Sequence, residues 1–461
     1  MTRWLIAASA LALCLAAALA FQLRSGHTPD RLLDYVERRL QGHPNLERVA
    51  LPVLGGVRRM LEATPVQERS RQAFVIPPPP PPFRAVTAAL DAPTTAVGRV
   101  LRVGPEEPIK RISDAAKLAR DGDTVEIVAG DYRGDVAVWR QKKLTIRGVG
   151  GNARLHADGK SAEGKAIWVL RNGEFDVSNV DFIGARVGDR NGAGIRFENG
   201  TLVVKDCLFW GNEAGILTSN GKAYGGARLE IVASEFGYNG DGLGNSHHVY
   251  AGSIAYLRIV GSYFHHGNVG HLIKSRAAVN DIRYNRLTDE RGGRASYEVD
   301  LSNGGLAVLL GNVIQQDRRS ENATLIAFGR EGYRHAENRL FLMNNTLVNE
   351  HPFGGAFLRV EPGAQSVVAA NNLRLGRGRY HVSDDLLVLN DVDAQDGDVR
   401  DARQYDYRLS ETGQTYKFRQ PLADRYAGIG LVVDAEYVHP RQTQRLGLPP
   451  VHVGALQSVG R

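Results

Sequence analysis

The chain has 461 residues, 43% hydrophobic and 23% charged, with a formal charge of +7. That is ordinary for a globular protein and ample for a large core, and the basic balance suits an anionic partner. Only Cys14 and Cys207 occur and no basic tract is interleaved with aromatics, which excludes a disulfide framework, a cysteine metal site and a nucleic-acid surface.

Residues 1–22 hold an unbroken apolar run, Trp4 to Phe21, preceded by Arg3. It is long enough to span a bilayer as a helix, and Ala18-Leu19-Ala20 would also serve as a cleavage site. The run is therefore a membrane anchor or a signal peptide. It implies a cell-envelope location, either anchored in the inner membrane through residues 4–21 and facing the periplasm, or secreted. Residues 23–75 read as short helices: Leu32, Leu33, Val36 and Leu40 recur at helical spacing behind Thr28-Pro29-Asp30. Residues 76–97 form a Pro-rich linker. Its run Pro77 to Pro82 is expected to be a stiff polyproline II spacer.

From residue 98 the texture changes. Val100 to Gly134 reads as strand, short amphipathic helix, strand and turn, with Ile109, Ile112, Ala115, Ala116 and Leu118 on the helix's apolar side. Short β-rich runs follow, such as LTIRGV, FDVSNVDFIG, LVVKDCLFWGN and LAVLLGNVI, each closing on Asn or Gly. They come in pairs that repeat after about 22 to 29 residues, the signature of a solenoid whose coils bury their inner faces only by stacking. Residues 98–391 are thus expected to form an all-β, single-stranded parallel β-helix, with 392–461 as its C-terminal closing segment and a monomer as the assembly.

The opening segment, PIKRISDAAKLARDGDTVEIVAGDY, resembles the start of right-handed parallel β-helix proteins of the pectate-lyase-like superfamily, with Ala119 to Tyr132 carrying the match. The end, HPRQTQRLGLPPVHVGALQ, is similar to the final segment of many secreted β-helix proteins. The resemblance implies a right-handed solenoid with an N-terminal capping helix. It also implies a groove for acidic polysaccharide on one face.

Polar side chains concentrate between His247 and Asn303. Aligning coils on HVYAG, HLIKS and YEVDL stacks His248, His271 and Tyr297 in one column, with Lys274 and Asp300 in another. Tyr250, two residues after His248, shares its face, as Arg276 shares that of Lys274 and Glu298 that of Asp300. Charge is costly inside a solenoid, so Lys274, Arg276, Glu298 and Asp300 are placed outside, with a bulge required if Leu272 points inward. His265-His266 belongs to a neighbouring turn that either lines the same groove or is an ordinary polar turn.

β-Elimination at a uronic acid needs a cation on the carboxylate, a base for the C5 proton and an acid for the departing oxygen. Lys274 and Arg276 suit the first, His271 or His248 the second, and Tyr250 or Tyr297 the third; either cation would also serve as base if its pKa were depressed. C5-epimerisation shares the first steps. Glu298 and Asp300 suit a hydrolase pair instead. Salt-bridge ladders from the same residues suit a non-catalytic glycan-binding scaffold. Gly270-His271 is followed by Leu272, which departs from the Gly-His-Gly of β-helix polygalacturonases. The nearby acids are Asp281, Asp289, Glu298 and Asp300, which is compatible with calcium but lacks the dense aspartate set of calcium-dependent pectate lyases, so no metal or cofactor is assigned.

Overall fold

The computed structural model describes residues 74–81, 98–221, 225–382, 386–414, 418–419 and 431–457. The apolar run at 4–21, the helical expectation for 23–73 and the linker from Pro82 to 97 lie outside them. No helix among the described residues is long and apolar enough to cross a membrane.

The chain winds into an all-β parallel solenoid of the right-handed type, about ten turns long. A regular coil contributes two strands to one large sheet and a third to a ten-stranded sheet, as Leu306–Leu310, Val313–Gln316 and Thr324–Phe328 do. Every pairing along the solenoid is parallel, so successive coils are separated by the strand spacing of about 4.8 Å.

The N-terminal segment forms as its pattern predicts. Val100–Val103 is followed by the helix Ile112–Leu118 and the strand Thr124–Arg133. Ile112, Ala115 and Ala116 are buried, whereas Leu118 is exposed. The helix carries no cap of its own; Asp135 accepts from the first free N–H groups, those of Ile112 and Ser113, at 2.6 and 3.1 Å. Asp123 of the GDT turn accepts from Arg120 N at 2.8 Å and from Arg99 Nη2 at 2.6 Å, which explains an acid at that point.

The interior is columnar because identical spacing brings like residues into register. Phe182, Phe209, Phe236 and Phe264 stack with centroids 5.0, 4.5 and 4.6 Å apart and nearly parallel rings. Each such buried side chain contributes about 2–3 kcal/mol of apolar transfer. At a corner of the coil, Asn285, Asn312 and Asn345 each donate Nδ2 to the Oδ1 of the next asparagine, ending at Asn372, over 3.0, 3.0 and 3.1 Å; Asn372 donates to Asp391 at 3.0 Å. The residues just before two of them, Asn344 and Asn371, take left-handed φ of 49° and 57°. In each of those pairs the first asparagine makes the bend and the second joins the ladder.

Two segments lie along the flank formed by the large sheet. Pro77 O accepts from Trp210 Nε1 at 2.8 Å and Pro80 O from Arg154 Nη2 at 3.2 Å. Over its described residues the proline run is therefore laid on the solenoid. The stretch 431–457 runs back along the coils: Arg441 Nη1 donates to Cys207 O at 2.9 Å, Tyr284 to Asp434 at 2.8 Å, and Ala455 N to Thr346 Oγ1 at 3.0 Å. Among the described residues, neither segment hydrogen-bonds the ten-stranded sheet at Val249–Ala251, Ile273–Ser275 or Val299–Leu301.

Candidate functional site

Those three short strands position the site. Their register aligns Tyr250 with Lys274 and Lys274 with Asp300, while Val249, Ile273 and Val299 face the core. The expected Lys274–Asp300 column is present. Extended two residues before each strand, the same register places His247 beside His271, and His271 beside Tyr297.

The expected pairing of His271 with Tyr297 is therefore present, but the third ring of the column is His247, one residue before the expected His248. The rings of His247 and His271 stack at 4.6 Å, and Tyr297 meets His271 edge-on at 4.9 Å. His271 N donates to His247 Nδ1 at 3.0 Å, which leaves the proton of a neutral His247 on Nε2. His248 points inward instead. It is 1% exposed, and its Nε2 is 2.8 Å from His265 O. Burial lowers its pKa to about 3, and a one-residue slip removes it from the face it was expected to share with Tyr250.

The slip has a local cause. At the corner before each strand, two consecutive residues turn inward: His248 and Val249, Leu272 and Ile273, Glu298 and Val299. Strand alternation fails there, so Leu272 is buried while Lys274 still faces out, as the required irregularity allows. The same corner places Glu298 inside, against expectation. Glu298 is 0% exposed, and among the described residues neither carboxylate oxygen has a hydrogen-bond partner beyond its own residue. Burial, reinforced by Asp289, pushes its pKa well above the carboxylate range, so it is a neutral acid in the core. Glu298 and Asp300 therefore do not form a hydrolase pair on one face.

Outside, the charges converge. Lys274 Nζ lies 2.8 Å from Glu331 Oε1, and Arg276 Nε lies 3.0 Å from Glu331 Oε2. One carboxylate is gripped by two cations. Their joint influence outweighs desolvation and lowers the Glu331 pKa. Arg276 also lies over the Tyr250 ring at 5.0 Å. Beneath them, Asp300 Oδ2 accepts from Ser302 Oγ at 2.7 Å and is 3.7 Å from Lys274 Nζ and 3.5 Å from His271 Nε2. Burial raises the Asp300 pKa, with Lys274 the main opposing influence. Burial and then Lys274 lower His271 to about 3, so its imidazole is neutral near pH 7. Tyr297 reaches Arg330, whose guanidinium also pairs with Glu361.

His271, Lys274, Arg276, Tyr250, Tyr297 and Asp300 are thus brought together; His248 and Glu298 are not. His265 and His266 sit on the other flank, hydrogen-bonded to each other at 2.7 Å beside Glu235 and Trp210. Sequence reasoning missed His247 and Glu331. Glu331 lies in residues 329–338, a longer connection than 302–305 or 276–278 at the same place in the preceding coils. Extra length at one point of a regular repeat is the signal that could have found it. The connection lies over the one before it, with Glu331 N donating to Ser302 O at 2.9 Å, Arg334 N to Asn303 O at 3.1 Å, and Asn303 Nδ2 to Gly332 O at 2.9 Å, and it reaches two coils back where His335 Nε2 is 3.2 Å from Arg276 O. Among the described residues, no group of His, Cys, Asp and Glu side chains is arranged to hold a metal ion.

No family model matches the sequence, and no curated protein matches it either. Solved structures that resemble it include the pectate lyase Pel9A, at 14% identity and a TM-score of 0.49, covering 78% of this chain and 96% of that one. An alginate lyase from Paenibacillus sp. str. FPU-7 has 13% identity and a TM-score of 0.38, covering 64% of this chain and 99% of that one. The PL6 family alginate lyase AlyGC has 14% identity and a TM-score of 0.25, covering 68% of this chain and 57% of that one. These likenesses concern fold; the chemistry rests on this chain's own residues.

Proposed function

We propose that the protein acts on an acidic glycan, as a polysaccharide lyase or C5-epimerase that draws the C5 proton from a uronic acid bound over Lys274 and Arg276. The observation that carries this reading is the shared grip of those two cations on the Glu331 carboxylate, on a face that, among the described residues, neither flanking segment bonds. A site that already holds one carboxylate between two cations has the chemistry to hold another.

Neutralising the substrate carboxylate acidifies the neighbouring C5–H. His271 takes that proton; its neutral imidazole supplies the lone pair, and Asp300 at 3.5 Å balances the imidazolium. A substrate carboxylate at Lys274 offsets part of the positive influence that depresses His271 and raises it towards the working pH. The C5 electron pair then forms the C4=C5 double bond as the C4–O bond breaks. Tyr297, edge-on to His271, protonates the leaving oxygen. Returning a proton to C5 from the opposite face, without C4–O cleavage, gives epimerisation instead. Tyr250 lines the cation side of the site.

Incubation with a panel of uronic-acid polymers tests the proposal. Ultraviolet absorbance from an unsaturated uronide marks elimination, and solvent deuterium gained at C5 without cleavage marks epimerisation. Neither signal on any uronide defeats both. Lys274→Ala is expected to reduce turnover by about 100-fold or more. If Lys274→Ala and His271→Ala both leave a detected activity untouched, these residues are not the site. The engagement of both cations by Glu331 favours a second reading, a glycan-binding scaffold. It predicts retention on a uronide column with no chemical change in the polymer.

A further inference from the structure

We infer that Glu331 is a placeholder carboxylate that occupies the position of the substrate's own carboxylate and makes the site selective for uronic acids over neutral sugars. The inference rests on the carbohydrate-binding reading above and goes beyond it by assigning a specificity role to a residue outside the strands.

Glu331 is the most exposed member of the ion cluster. Its side chain is 38% accessible, against 14% for Lys274, 17% for Arg276 and 4% for Asp300. The two cations arise from the rigid strand Ile273–Ser275 and the residue after it, whereas Glu331 arises from the connection 329–338, two coils away. Its oxygens are divided, Oε1 to Lys274 and Oε2 to Arg276, so no second carboxylate is accommodated while it remains. Separation of the partners therefore falls to the exposed member on the connection, with the buried frame unchanged.

The exchange is selective because of charge. A uronate that displaces Glu331 returns an anion to both cations, and Glu331 regains water on leaving. A neutral sugar in the same place would leave Lys274 and Arg276 without the anion that Glu331 supplies. Partly exposed pairs of this kind are worth about 0.2–1 kcal/mol each, so two of them hold the closed form in excess by roughly 2- to 30-fold. The apparent affinity for a uronide is reduced by the same factor, because only the open fraction binds.

Binding is measured by calorimetry on the full chain, with a polygalacturonate oligomer and an alginate oligomer as acidic probes and a neutral oligomer of equal length as control. Calorimetry needs no turnover, so its result is separate from the outcome of the cleavage assay. Glu331→Gln keeps the shape and removes the charge. It is expected to tighten the binding of the better acidic probe by roughly 2- to 30-fold. Asn303→Ala, which removes an anchor of the connection at Gly332 O, should tighten it in the same direction by less. Unchanged or weaker binding by a folded Glu331→Gln protein overturns the inference and makes Glu331 a structural clasp or part of the binding set. A gain that is equal for the neutral probe overturns the selectivity, and no binding of either acidic probe by any form overturns the whole assignment.

Discussion

Two polar columns run through this solenoid at the same spacing, and they are built on opposite terms. The asparagine ladder from Asn285 to Asn372 is fully buried and satisfied rung by rung. Each amide donates to the next coil and to a backbone carbonyl, those of Ile259, Ile282, Leu309 and Leu342, at 2.8–2.9 Å. The cluster over Ile273–Ser275 is mismatched: among the described residues His271 Nδ1 and Asp300 Oδ1 have no hydrogen-bond partner, and its cations are satisfied by a side chain borrowed from a distant loop. A buried network held by complete pairing is a structural device, whereas unmet polar atoms and perturbed charges concentrate where chemistry is done. Regular stacking therefore does not itself distinguish scaffold from site; the completeness of the pairing does.

The largest effect is expected from breaking the ladder. Asn312 accepts twice from Asn285 and donates to Ile282 O and Asn345. Asn312→Ala leaves those buried groups unpaired and should cost about 2–4 kcal/mol in denaturant unfolding, with activity per folded molecule retained. Equal loss of stability and of activity per folded molecule would erase the distinction between the columns.

That ladder was present in the sequence only as a habit of closing runs with Asn. Asn344 and Asn371 make the bends, whereas their neighbours Asn345 and Asn372 carry the ladder. The repeat period, the helix before Thr124 and the outward Lys274–Asp300 pair were legible because alternation and period are local. The placement of His248 and Glu298 was not, because two consecutive residues turn inward at a corner and binary pattern has no term for that. A charged residue there looks outward on grounds of cost, yet Glu298 avoids the cost by remaining protonated. Glu331 could not be aligned at all: its position depends on a loop folding back across two coils.

An intermediate effect is expected from pH, and it separates the columns again because the asparagines do not titrate. His271 titrates at about 3 in the folded chain and near 6.5 when unfolded. The unfolded state binds the extra proton, so this stabilisation is complete above pH 6.5 and is lost as pH falls towards 3. Glu350, pushed up to about 7 by burial, works in the opposite sense: its contribution is complete below its ordinary value and lost as pH rises through 7. Net pH curves mix the two, so the comparison is between proteins. From pH 7 to 5, the native chain should lose about 2 kcal/mol more than His271→Gln. Parallel curves would mean that the folded chain holds His271 near its ordinary value, so that burial beside Lys274 does not set its protonation.

The smallest change in stability should accompany one of the largest in function. Lys274→Met removes the cation from a half-exposed pair with Glu331 and from the rim of Asp300. Loss of the partly exposed pair is worth at most about 1 kcal/mol. Asp300 does not become a stranded charge either. Its pKa is already raised by burial, and Lys274 is the main influence holding it down, so removing the cation lets the carboxyl take up a proton. Thermal unfolding of Lys274→Met near pH 7 should therefore stay within a few degrees of the native chain, while binding of a uronide oligomer falls sharply. A collapse in stability would show the cations to be a structural ladder after all, equivalent to the asparagines, and would favour the scaffold reading over the enzyme.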